Sequence, residues 1–207
     1  MNTNSTQNIK IIVADPSALG LFGLAMVTLV ASSQKFGITT GLSFVIPWAI
    51  FLGGFAQLYA CINDTKHNNT FGATAFGAFA FFWFSVALSW MIKLGVFGVA
   101  LQKGVDDKQL AIAFIGYLIF SLFMTIGAME TNKVLFFIFV AIDFLFIGLS
   151  LSTLKVAYEL THEIAAWSEL IISLLSFYGS AAAVLNKHFG SVFLPTGKPF
   201  GIFKKAI

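Results

Sequence analysis

The sequence predicts an all-α integral membrane protein built as a bundle of six transmembrane helices. Hydrophobic residues make up 58% of the chain and charged residues only 10%. Phenylalanine alone fills 25 of 207 positions, far from the composition of water-soluble domains. Six runs of about twenty residues with few charges, the length that crosses the hydrocarbon core of a bilayer, fall at 18–33, 42–62, 71–92, 109–129, 134–153 and 164–186. Little chain is left between them, so no extramembrane domain is expected. The chain divides into a polar N-terminal segment (1–14), the six-helix domain (15–187) and an irregular tail (188–207).

The first run opens with ADPSALGLFGL. Asp15 is a good helix cap, and Pro16 at the first helical position lacks only an N–H that would be unpaired there. The residues before Pro16 are polar or mixed, so no cleavable signal peptide is expected. Gly20 and Gly23 in the first run, and Gly53 and Gly54 in the second, let a neighbouring backbone approach closely. Cys61 has no second cysteine to pair with, and a lone thiol in an apolar run reads as packing. The third run places Thr74, Ser85 and Ser89 on one helical face and Phe79 well away from it, so the hydroxyl stripe reads as helix packing. The fourth run rests on its length and apolar character.

Asp143 lies near the middle of the fifth run, where an ionised carboxylate must pair, take up a proton or meet water. It is the candidate proton site. In the sixth run Glu169 is expected at a solvated edge. The neighbouring THEIAAW lacks the second histidine of a zinc-protease helix, Ala166 standing in its place. No nucleophile–base pair, phosphate loop or cysteine cluster is present, so neither an enzyme nor a metal or cofactor site is expected. After Lys187 three glycines and two prolines end the last helix, and the Phe and Lys mixture beyond them suits the membrane interface.

All twelve basic residues are lysines. Lys10, Lys66, Lys133, Lys187, Lys198, Lys204 and Lys205 fall on one side of a six-span topology, and Lys35, Lys93, Lys103, Lys108 and Lys155 on the other. That bias puts both termini in the cytoplasm. A net charge of +3 is too small and too dispersed for a nucleic-acid partner.

Four motifs in order, ADPSALGLFGL, GGFAQ, NNTFGATAF and LNKHFGSVFLPTG, resemble the acetate uptake transporter family, the relatives of succinate-acetate permeases. The family's N-P-x-P-L-G-L signature is matched at Pro16, Leu19, Gly20 and Leu21, with Asp15 and Ala18 departing from it. The resemblance implies a multi-pass protein of the cell membrane, a homo-hexameric ring, and in each protomer a pore or carrier path for acetate, succinate or a similar small carboxylate. It further implies an apolar constriction of Leu24, Phe79 and Ile142, where relatives often present Phe, Tyr and Leu. A phenol hydroxyl is therefore expected to be missing there.

Around such a throat the candidate polar groups are Thr28, one turn beyond Leu24, Thr153, on nearly the same helix face as Ile142, and Gln57 beside the glycine pair. Moving an anion into a negative-inside cell costs about 2.3 kcal/mol per 100 mV. Protonating a carboxylate at pH 7 costs about 3.7 kcal/mol from a reference pKa near 4.3. Those magnitudes leave anion channel and proton symport both open. The rival readings are a passive pore for a neutral solute such as urea and a non-transporting scaffold.

Overall fold

A computed structural model describes residues 14–203, and all regular structure among them is helical. The polar segment 1–13 and Lys10, Lys204 and Lys205 of the charge bias lie outside the described residues. Six helices are long and apolar enough to cross a membrane: α1 (Ser17–Lys35), α2 (Val45–Lys66), α3 (Thr70–Lys93), α4 (Asp107–Ala128), α5 (Lys133–Thr153) and α6 (Tyr158–Phe189). A short helical turn, Val99–Lys103, joins α3 to α4.

The starts follow local chemistry. Helix α1 begins one residue later than expected, with Pro16 as its cap residue. Asp15, just before it, accepts at Oδ1 from the Ser17 backbone N–H at 2.9 Å and from its hydroxyl at 2.6 Å, a local bond of the kind that caps supply. Asn69, Asp106 and Asn132 cap α3, α4 and α5, accepting from Gly72, Lys108 and Leu135. Helix α6 begins at Tyr158 rather than near residue 164, straight out of a tight turn in which Lys155 and Ala157 take left-handed dihedrals. That earlier start carries Glu169 about three turns into the helix.

Helix α6 packs against both α1 and α5, α5 packs against α4, and α2 sits against α1 and α3. The glycines set these distances. A Cβ on Gly23 would stand 2.3 Å from the Leu52 carbonyl oxygen, and one on Gly20 would stand 2.4 Å from the Phe76 ring. Residues Ala49–Ala56 of α2 are wound as a π-helix, a wider turn that is often found at functional sites. By contrast, Thr74 and Ser85 of the hydroxyl stripe are exposed on α3, and Ser89 is half-buried with its hydroxyl donating to the Ser85 carbonyl at 2.8 Å.

Beyond Gly190 the tail folds back over the end of the bundle. The Asn186 amide holds the backbone of Phe193 and Leu194, the Thr196 carbonyl accepts from Val134, and Glu130 Oε1 accepts from Ile202 and Phe203. The segment is irregular, and the described part is docked on the α4–α5 turn.

Candidate functional site

Two cavities enter the bundle from opposite ends. The larger, about 560 Å³, opens where α1 begins and α6 ends. The smaller, about 260 Å³, opens where α1 ends and α6 begins. Leu24 of α1, Phe79 of α3 and Ile142 of α5 share the wall of the larger chamber and are almost fully buried, at 6%, 5% and 3% exposure. Three helices thus bring the expected constriction residues together.

Behind them lies an aromatic layer. The Phe146 ring stacks on Phe79 at 6.4 Å and on Tyr117 at 5.6 Å, and meets Phe82 edge-on at 5.3 Å. Phe82, Trp83 and Phe114 in turn line the smaller vestibule. A phenol does reach the layer, from α4, but the Tyr117 hydroxyl donates to the Ala78 carbonyl at 2.9 Å and is spent on the scaffold. Tyr117, Phe82 and Phe146 add three packed rings to the three residues that the family resemblance implies. In a sequence with 25 phenylalanines, no local signal marks which rings meet.

In the chamber Gln57 is buried; its Nε2 donates to the Gly53 carbonyl at 3.0 Å and its Oε1 has no partner among the described residues. The bond to Gly53, inside the π-helical stretch, fixes the amide with its acceptor free. Asp64, absent from the sequence-based candidates, is a second such group. It is buried on the chamber wall, its Oδ1 accepts from Asn69 Nδ2 at 3.0 Å and its Oδ2 has no partner among the described residues. Gly72 makes room for it, since a Cβ there would lie 2.1 Å from Oδ2. The polar run NDTKHNN around Asp64 reads as a loop in sequence, which hides an acid held at the end of a membrane helix.

The other candidates are placed differently. Thr28 is buried with its hydroxyl donating to the Leu24 and Ala25 carbonyls at 2.7 and 3.2 Å, so its proton is used within α1. Thr153 lines the smaller vestibule and not the constriction. Asp143 lines neither cavity. Its carboxylate faces α4, accepting from the Ser121 hydroxyl at 2.5 Å and the Thr125 hydroxyl at 2.7 Å. The candidate proton site thus lies outside both cavities, because the helical turn that sends Ile142 inward sends Asp143 to the α4–α5 contact.

The expected place of Glu169 is corrected. It is buried, not solvated, and its Oε2 pairs with Lys35 Nζ at 2.8 Å, the two side chains being 4% and 13% exposed. Both line the vestibule, together with the Lys93–Asp107 ion pair and Lys155, whose ammonium lies over the Tyr158 ring. The chamber thus holds two buried acceptors, with the exposed Lys187 also on its wall, and the vestibule holds three lysines beside Glu169 and Asp107, with an apolar layer between.

Comparison with known proteins agrees with the fold. The chain is similar to the succinate-acetate/proton symporter SatP of Escherichia coli (strain K12), at 32% identity across 90% of this chain and 96% of the relative. It is also similar to acetate permease A of Emericella nidulans, at 27% identity across 82% of this chain and 58% of that one. The solved structure of the bacterial acetate channel SatP superposes with a TM-score of 0.82 at 30% identity, covering 90% of this chain and all of that chain. The model of the GPR1/FUN34/yaaH family matches residues 1–199, and with six membrane helices built around those motifs the chain is a member of that family.

Proposed function

We propose that this protein moves acetate and similar short-chain carboxylates, succinate among them, across the cell membrane, with a proton accompanying each anion through a path in every protomer. The observation that carries the reading is the pair of cavities facing each other across Leu24, Phe79, Ile142 and the rings behind them. The names of the relatives, a succinate-acetate/proton symporter, an acetate permease and an acetate channel, point to the same solute class.

The apolar layer favours the neutral acid as the crossing species. An unpaired carboxylate in such surroundings costs tens of kcal/mol in the idealised limit, whereas protonating it at pH 7 costs about 3.7 kcal/mol. Gln57 Oε1 and Asp64 Oδ2 support this reading, because an acceptor without a partner suits an acid O–H and not an anion. The homo-hexameric ring is part of the proposal and rests on the family. The cytoplasmic placement of both termini rests on the lysine bias.

The test is labelled acetate uptake into proteoliposomes with membrane potential and pH gradient clamped separately. Uptake driven by the pH gradient, and competed by succinate but not by urea, is expected. Absence of flux, or urea flux equal to that of acetate, overturns the reading.

A further inference from the structure

We infer that Lys35 and Glu169 form a carboxylate-binding, proton-loading station in the vestibule, a role that rests on the carboxylate-transport reading and gives its coupling a location. Lys35 Nζ and Glu169 Oε2 are 2.8 Å apart with both side chains nearly buried, and both line a cavity of about 260 Å³. The backbone of Lys35 is fixed. His162 Nε2–H donates to the Lys35 carbonyl oxygen at 3.2 Å, and Lys35 closes the last turn of α1.

An entering carboxylate carries the same charge and the same acceptor geometry as Glu169, so it competes for the one ammonium. Removing a buried carboxylate's paired cation is strongly unfavourable, and the loss is relieved when Glu169 takes up a hydronium proton delivered from bulk solution through the vestibule. The solute carboxylate on Lys35 and the protonated Glu169 then stand side by side. The Oε2–H bond of Glu169 breaks, an O–H bond forms on the solute, and the neutral acid leaves Lys35 for the aromatic layer. Glu169, again a carboxylate, re-pairs with Lys35. One proton and one carboxylate leave together, and the pair returns to its starting charge.

The other charged groups around Glu169 are arranged so that the exchange stays with this pair. His162 sits on the same helix and acts on Glu169 electrostatically. Lys93 of α3 is occupied by Asp107 of α4. Lys155, in the turn before α6, lies over an aromatic ring 4.8 Å away.

The test uses the purified full chain in detergent, lightly buffered at pH 7.5 with an indicator dye, to which sodium acetate adjusted to the same pH is added. About one proton taken up per acetate bound is expected for the unmodified protein, and none for Glu169→Gln. If Glu169→Gln fails to fold, the double variant Lys35→Met with Glu169→Met keeps the volume without the charges, and it too is expected to take up none. A proton still taken up per acetate by either variant, or none by the unmodified protein while its proteoliposomes carry acetate, overturns the station alone. No acetate flux in the unmodified protein overturns both the station and the transport reading.

Discussion

On the path proposed above, the chamber and the vestibule offer a solute different buried groups. In the chamber the buried side-chain atoms without partners among the described residues are acceptors, Gln57 Oε1 and Asp64 Oδ2, set in a wall of Leu24, Phe79 and Ile142. In the vestibule Lys35 pairs with one buried glutamate, and Lys93, itself paired with Asp107, and Lys155 line the same wall. A site that bound one fixed species at both ends would repeat its groups. The difference is what a weak acid requires if it arrives as an anion, crosses an apolar layer as the neutral acid, and is received by acceptors for its O–H. Selection by size then falls to the layer, and selection by charge to the vestibule.

The sharpest way to break this contrast is to open the layer. Phe79 touches both the chamber and the Phe146 stack, so Phe79→Ala joins the two cavities. We expect the uptake of benzoate relative to acetate in proteoliposomes to rise about tenfold or more, the discrimination that an apolar pocket gains from one or two misfitting groups. Truncating a buried Phe also costs about 3–5 kcal/mol of stability, so the measurement is the ratio of two solutes on one preparation. An unchanged ratio would move the filter away from Phe79.

How much of this could be read from the residues follows from which constraint sets each feature. Bilayer thickness fixes the length of an apolar run, so all six helices are legible. Leu24 and Phe79 come only from the family resemblance, counted from ADPSALGLFGL and NNTFGATAF, and the structure puts both on the chamber wall. Glu169 is not, because the polar stretch YELTHE conceals a helix that starts at Tyr158, and a partner 134 positions away leaves no local trace. Asp64 is hidden for a related reason, its acid being held by Asn69, which also caps α3. Asp143 stands out in sequence because depth in an apolar run is visible, whereas the two hydroxyls that satisfy it lie on another helix.

A subtler probe separates the two ends. Gln57→Leu removes the chamber's free acceptor and the bond that its amide donates to the Gly53 carbonyl. A net hydrogen bond is worth about 1 kcal/mol, so a rise of about fivefold in the acetate KM for uptake is expected, with proton uptake on acetate binding, a vestibule property, unaltered. Loss of that proton uptake would show that the two ends do not work separately.

The smallest effect is expected where sequence reasoning places the most weight. Asp143 accepts from Ser121 and Thr125, yet those hydroxyls also lie 3.1 and 2.9 Å from the carbonyls of Leu118 and Ser121 on their own helix. Removing the carboxylate charge therefore leaves neither hydroxyl stranded. Asp143→Asn, which can still accept from one hydroxyl and donate to the other, should lower stability by about 1 kcal/mol and leave acetate-driven proton uptake in liposomes within about twofold of the unmodified protein. Thermal unfolding and flux measured on the same sample check both halves. A folded Asp143→Asn protein with no coupled flux would bring the α4–α5 contact into the proton route, and the division between an anion end and an acid end would then need a third station between them.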